Sequence, residues 1–428
     1  MSFNEREASL NILEDIFGKT FNNLALKNYF KAHELPASTK KFVTEVVNGV
    51  LRNLTYIDFC ITFYSNAGKM KPFIKNLLRI SVYQLLYMDK IPPYAVINEA
   101  VNICRKRKFQ NLSGFVNAVL RKFLTEAQNG SLPAPDTNDF SLYLSTVYSI
   151  PQWIVKMWMN NYETGVCEEI CKTLRTRPEV TIAVNKAKTT KATLTEKLLS
   201  ASVKVTDTFH ENALKITDTG NIAELEAFKS GCFHIMDISA MLAADMINCR
   251  AGDTVLDVCA APGGKSFYLA ANYGAKLTAC DIYPHKLELI SKTAKRLGLE
   301  NNIKVIERDA VAKNAAFTEK FDNVLVDAPC SGLGILRKKP DIKFNRTESD
   351  IDDLAKLQLE ILTNSADCVK AGSVLLYCTC TLSQKENRGV IDSFLAQHGG
   401  RFTFEAEREI LPCEYGSDGF YVAKLRRL

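Results

Sequence analysis

The sequence predicts a multidomain protein: an all-α domain at the N-terminus, a small α+β module, and a C-terminal α/β domain on a doubly wound, Rossmann-like sheet. Three observations carry this. Residues 5–125 place apolar side chains at helical spacing, with no competing strand pattern. The segment SLPAPDTNDF, residues 131–140, interrupts that periodicity with Pro, Asp and Asn, as a linker does. From Gly231 onward, short runs rich in Val and Leu alternate with amphipathic stretches, the pattern of a parallel sheet covered on both faces. The expected domains are 1–132, 140–230 and 231–428.

In the first domain, Val43, Val46, Val47, Val50 and Leu51 occupy one helix face without a miss. Ile97, Ala100, Val101 and Cys104 repeat the stripe after the Pro92-Pro93 break, and Val116, Val119, Leu120 and Phe123 repeat it again. The middle module reads as a helix around Trp153–Trp158, a strand in EVTIAVNK, a helix through Leu194–Leu199, and strands in VKVTDTF and ALKITD. The last domain offers five strand candidates: TVLDV, AKLTAC, NIKVIERD, FDNVLVD and GSVLLYC.

Composition narrows the class. Hydrophobic content of 46% with 24% charged residues is that of an ordinary globular protein, and no apolar run reaches the length of a membrane span. The polar start MSFNEREASL is no signal peptide, so a cytoplasmic protein is expected. Thirteen cysteines, an odd number without framework spacing, read as reduced thiols. The five histidines are scattered, and no metal site is expected. Residues 1–150 hold 18 Lys and Arg against 12 Asp and Glu, whereas the remainder is neutral, which suggests that the N-terminal domain touches a polyanion.

Polar and reactive residues recur at the strand ends, where an open α/β sheet binds ligands. The first strand runs into Cys259-Ala260-Ala261-Pro262-Gly263-Gly264-Lys265, a glycine turn opening a helix whose N-terminus suits a carboxylate. The second ends at Asp281, near the spacing of a ribose-binding acid. The third ends at Asp309, suited to an adenine amino group. Neither GxxxxGK[ST] nor GxGxxG is present, so a nucleoside with a charged amino-acid tail fits better than a dinucleotide. Either aspartate alone could be a strand-end cap; their joint occurrence favours the ligand. The fourth strand ends at Asp327-Ala328-Pro329-Cys330 and the fifth at Cys380, delivering two thiols to one crevice. Cys378 reads as a core thiol, and Cys259 as packing rather than a nucleophile.

CAAPGGK, DAPCSG, RKKPDI and YCTCT, in this order, resemble the RNA 5-methylcytosine methyltransferase family that uses S-adenosylmethionine. VTEVVNGVLRN (43–53), INEAV (97–101) and FVNAVLR (115–121) resemble the NusB-type helical domain, and the pairing is that of bacterial 16S ribosomal RNA methyltransferases of the RsmB (Sun) type. The chain departs from the pattern at Phe344, where Trp is frequent, at Lys286, where Arg is usual, and at Met236, where Gln is common. The resemblance implies that Cys380 attacks carbon 6 of the cytosine, Cys330 helps to release product, and Asp327, oriented by Lys265, hydrogen-bonds the base. It also implies a cofactor site formed by residues 259–265 with Asp281, Asp309 and Asp327. Arg337, Lys338 and Lys339 beside the Cys330 loop, and Arg105, Lys106, Arg107 and Lys108 in the first domain, are the expected phosphate contacts. A structured 16S hairpin with a flipped-out cytosine is the expected substrate, and a monomer the expected state. A DNA enzyme would carry PCQ and dispense with the second cysteine. A tRNA enzyme would lack the NusB-like domain, and a non-catalytic assembly factor would not need both thiols.

Overall fold

The computed structural model describes residues 4–65 and 70–428, and their contacts form two compact units. The first unit is Met1–Thr176 with Leu336–Asn345, and the second is Arg177–Ile335 with Arg346–Leu428.

The first unit is helical: Glu5–Phe17, Asn22–Ala32, Ala37–Arg52, Leu54–Ser65, Pro72–Tyr87, Pro93–Lys106 and Ser113–Gln128. Three further helices, Phe140–Tyr148, Gln152–Met159 and Thr164–Arg175, cluster with it, although by sequence they were grouped with the middle module. The apolar stripes form its core: Val43, Val46, Val47, Val50 and Leu51 are all fully buried. At Gly49 the Tyr83 ring occupies the space of a side chain, since an added Cβ would lie 1.9 Å from it, so two helices approach closely there.

Leu336–Asn345 joins this unit through charged residues. Asp341 accepts a hydrogen bond from the Asn22 N–H (3.1 Å), the first residue of a helix without a side-chain cap of its own. Lys343 donates to the Arg52 carbonyl (3.1 Å), at the last residue of another helix. An anion at a helix N-terminus and a cation at a C-terminus both suit the helix dipole. Arg337, Asp341 and Lys343 keep only 4%, 6% and 4% of their surface exposed. Burial, reinforced by the neighbouring Arg52, draws the Lys343 ammonium down to about 7.

The second unit holds two sheets. The smaller contains β1 (Val180–Val184), β2 (Lys204–Asp207), β3 (Ala213–Thr217) and β4 (Phe233–Ile235), antiparallel in the order β2-β3-β1-β4. The larger is built from β5 (Thr254–Asp257), β6 (Lys276–Asp281), β7 (Ile303–Glu307), β8 (Phe321–Asp327), β9 (Val369–Thr379), β10 (Phe402–Ile410) and β11 (Phe420–Arg427). Its order is β10-β11-β9-β8-β5-β6-β7. The five strands anticipated from apolar runs are parallel neighbours, whereas β11 and β10 add antiparallel pairings, so the sheet is mixed. β10 escaped the sequence reading because its outer half is exposed and its residues, FTFEAEREI, alternate with charge.

The small sheet is fastened to the large one by Asp245. Its Oδ2 lies 2.9 Å from His210 Nε2, and its Oδ1 accepts from the Tyr268 and Tyr273 hydroxyls (2.8 and 2.6 Å). Successive strands run outward from β5 in opposite directions, through β6 on one side and β8 on the other. That reversal opens a crevice at the carboxyl ends of β5 and β8.

Candidate active site

β5 ends in Asp257, 1% exposed, whose Oδ2 accepts from the Ser266 hydroxyl at 2.7 Å. Burial pushes this carboxyl up to about 7, and the charge of Asp327 adds to the displacement. The chain then turns through residues 259–263. The Ala260 N–H donates to the Cys280 carbonyl at 2.7 Å, tying the turn to the neighbouring strand. Gly263 sits at φ +104°, and a Cβ there would meet the Phe267 ring at 2.4 Å, so both backbone and space require glycine. The helix Gly264–Tyr273 begins with no side-chain cap, and a Cβ built on Gly264 would meet nothing within 4 Å. An uncapped N-terminus beside open space is suited to a carboxylate ligand.

Two strand-end aspartates lie on the same side of β5. Asp281 is buried; its Oδ1 accepts from the Tyr283 N–H (3.1 Å) and lies 3.6 Å from the Lys286 ammonium. Asp309 is exposed and accepts from the Val311 N–H at 3.0 Å. Lys265 and Asp327 form a close pair, Nζ to Oδ2 at 2.6 Å, with the lysine also over the Phe420 ring. Burial alone would draw the Lys265 ammonium down, but Asp327, Cys378 and Asp257 together outweigh it and the net displacement is upward. The other oxygen of Asp327 accepts from the Cys378 thiol at 3.6 Å. Cys378 is buried, as anticipated, but it also helps hold this carboxylate.

The parallel register of β8 and β9 sets Asp327 opposite Cys378, so the residues that follow on each strand leave the sheet side by side. Cys330 and Cys380 thereby meet, Sγ to Sγ 3.3 Å, both partly exposed. The hydrogen bond to Cys380, then burial, hold the Cys330 thiol well above its ordinary pKa. Cys259 is inert for a different reason: burial and the surrounding aspartates push its thiol up. The turn beyond Cys330 is strapped down. The Gly334 N–H donates to the Cys380 carbonyl (3.0 Å), and Gly419 packs so closely that a Cβ on Gly334 would lie 2.1 Å from its carbonyl oxygen.

The chain matches three family descriptions in series: NusB family over residues 4–125, RsmF/B-like ferredoxin-like domain over 150–223, and 16S rRNA methyltransferase RsmB/F over 244–426. It is 36% identical to the Bacillus subtilis protein described as probable ribosomal RNA small subunit methyltransferase B, covering 96% of this chain and 95% of that one. The chain belongs to the 16S rRNA methyltransferase RsmB/F family. The ribosomal RNA small subunit methyltransferase B of Shewanella oneidensis is 32% identical over 92% of each chain. Among solved structures, PH0851 shares the fold across 100% of this chain and 99% of its own, with a TM-score of 0.79 at 23% identity. NSun6 from Pyrococcus horikoshii, solved with SFG, covers 65% of this chain and 98% of its own, with a TM-score of 0.58 at 21% identity.

The expected basic residues fall into two groups. Lys106 and Arg107 pair with Glu7, whereas Arg105 and Lys108 are exposed. Arg337 is buried in the helical unit, whereas Lys338 and Lys339 are exposed. No group of three or more His, Cys, Asp or Glu side chains suited to a metal ion occurs among the described residues, and no helix there is long and apolar enough to cross a membrane. Sequence reasoning missed Asp257 and Glu386. Asp257 had a visible signal, a charge closing an apolar strand. Glu386, in the polar stretch SQKEN, had none.

Proposed function

We propose that this chain methylates carbon 5 of one cytosine in 16S ribosomal RNA, with S-adenosylmethionine as methyl donor and a transient bond between Cys380 and carbon 6 of the ring. The observation that carries this reading is the 3.3 Å contact between Cys330 and Cys380 at the ends of adjacent strands. Carbon 5 of cytosine is a poor nucleophile, and addition of a thiolate at carbon 6 converts the ring to an enamine that is a good one.

The residues present fit the cofactor. The uncapped N-terminus of Gly264–Tyr273 would take its carboxylate, Asp281 its ribose hydroxyls and Asp309 its adenine amino group, with residues 259–265 as the floor. Bound there, S-adenosylmethionine supplies an electrophilic methyl group. Asp327, fixed by Lys265 and Cys378, would accept a hydrogen bond from the base at its N3 edge and so orient the ring for the addition of Cys380.

The thiol pair also orders its own proton transfers. While the two sulfurs share their 3.3 Å contact, the Cys330 thiol is held above its ordinary pKa. Once the Cys380 sulfur is spent in a carbon–sulfur bond, its hydrogen bond with Cys330 no longer opposes a thiolate there. Cys330, partly exposed, can then pass its proton to water; as a thiolate it takes the proton from carbon 5, the carbon 5–carbon 6 double bond reforms and Cys380 leaves with the carbon–sulfur electron pair.

The substrate would be a looped-out cytosine, because a stacked base cannot reach two thiols in a crevice. Lys338, Lys339, Arg105 and Lys108 would meet its phosphates. Bisulfite sequencing of 16S ribosomal RNA from cells with and without the gene tests the reading. One cytosine should lose its protection when the gene is absent, and identical patterns would refute the assignment.

A further inference from the structure

Each thiol of the pair is followed in sequence by a hydroxyl residue, Ser331 after Cys330 and Thr381 after Cys380. Both hydroxyls meet one fully buried carboxylate, Glu386. Its Oε1 accepts from the Ser331 N–H (2.7 Å) and the Gln358 amide (3.0 Å). Its Oε2 accepts from the Ser331 hydroxyl (2.5 Å) and lies 3.5 Å from the Thr381 hydroxyl. The two hydroxyls are themselves 2.7 Å apart. The surrounding groups close the arrangement: Gln358 also donates to the Pro329 carbonyl (2.9 Å), and the Tyr377 hydroxyl donates to the Glu386 carbonyl (2.6 Å).

Taking a carboxylate out of water is costly, and apolar packing could join two turns without that cost. Here, beside the Gln358 amide, the partners are the Ser331 N–H and the Ser331 and Thr381 hydroxyls, from the two residues that adjoin the thiols. We propose that Glu386 is a positioning residue for the thiol pair: its carboxylate clamps the Ser331 and Thr381 turns together and so holds Cys330 and Cys380 at contact distance. The inference rests on the reading of those thiols as the reacting groups. A fixed negative charge this close also disfavours a thiolate at Cys330, so the same carboxylate helps keep that sulfur protonated before the reaction begins.

The full-length protein with Glu386→Gln and Glu386→Asp tests this. Methyl transfer to a 16S ribosomal RNA fragment gives kcat and KM. Alkylation of Cys330 across pH, read by peptide mass spectrometry in a Cys380→Ala background, reports its protonation. Glu386→Gln should lower kcat about 100-fold, the cost of a misplaced reacting group, with KM for S-adenosylmethionine unchanged. It should also move the Cys330 alkylation midpoint down, because the charge is gone. Glu386→Asp keeps the charge but shortens the reach, so kcat should fall while the midpoint stays. Wild-type kcat in Glu386→Gln, or an unmoved midpoint, overturns the inference. If Glu386→Gln fails to fold, wild-type kcat in Glu386→Asp overturns it instead. Full activity in Cys380→Ala alone is a separate outcome: it removes the thiol chemistry itself.

Discussion

Asp257 gives the account a stability test that does not depend on catalysis. Its carboxyl is buried beside Asp327 and raised from 3.8 to about 7. An acid raised in this way binds a proton in the folded state that the unfolded chain has already released. Stability is therefore lost as pH climbs between those two values, at about 1.4 kcal/mol per unit. The whole window amounts to about 4 kcal/mol, of which about 2–3 kcal/mol falls between pH 5 and pH 8. Asp257→Asn replaces the titrating group with one that stays neutral. Urea unfolding of cofactor-free protein, followed by circular dichroism at both pH values, isolates the effect as the difference between variant and wild type. Any constant cost of an imperfectly bonded amide cancels in that comparison. The variant should gain on wild type by about 2–3 kcal/mol as pH rises from 5 to 8. Parallel profiles would refute the argument, because they would mean that burial at the end of β5 does not control this carboxyl.

Gly263→Ala places a Cβ at 2.4 Å from the Phe267 ring on a left-handed backbone. It should cost about 2–5 kcal/mol in thermal or urea unfolding and abolish S-adenosylmethionine binding by calorimetry. Replacing the exposed Lys338 and Lys339 together by Gln should weaken RNA binding across sequences and reduce its salt slope by about 1.5, with cofactor affinity unchanged. Arg337→Gln, by contrast, should destabilise the helical unit in unfolding measurements, because Arg337 is buried there.

The parts of the fold that were legible in the sequence were those whose burial is uniform. Parallel strands covered on both faces appear as unbroken runs such as NVLVD and VLLYC, and their ends name Asp327, Cys330 and Cys380 directly. The helical stripes worked for the same reason, since one face of each helix is fully withdrawn from water. What stayed hidden was burial achieved by pairing. The RKKPDIKF stretch reads as a phosphate-contacting basic turn, yet Arg337, Asp341 and Lys343 are buried, and helix ends supply the partners of Asp341 and Lys343. Glu386 is hidden in the same way. Its partners, Ser331, Gln358 and Thr381, come from three places in the chain, and no local pattern announces a carboxylate satisfied at that range. The antiparallel β10 was lost to its half-exposed, charged face.

The division of labour between Cys380 and Cys330 is the central claim, and trapping of the protein–RNA adduct tests it most directly. Each cysteine is changed to Ala, and the variant is incubated with a 16S ribosomal RNA fragment and S-adenosylmethionine. Denaturing electrophoresis then detects any covalent complex, and methyl transfer is counted on the RNA. Cys380→Ala should give neither adduct nor methylation. Cys330→Ala should methylate once and remain joined to its product, because the base that would free Cys380 is missing. An adduct in Cys380→Ala and none in Cys330→Ala would exchange the two roles, and full turnover in both variants would contradict the thiol mechanism outright.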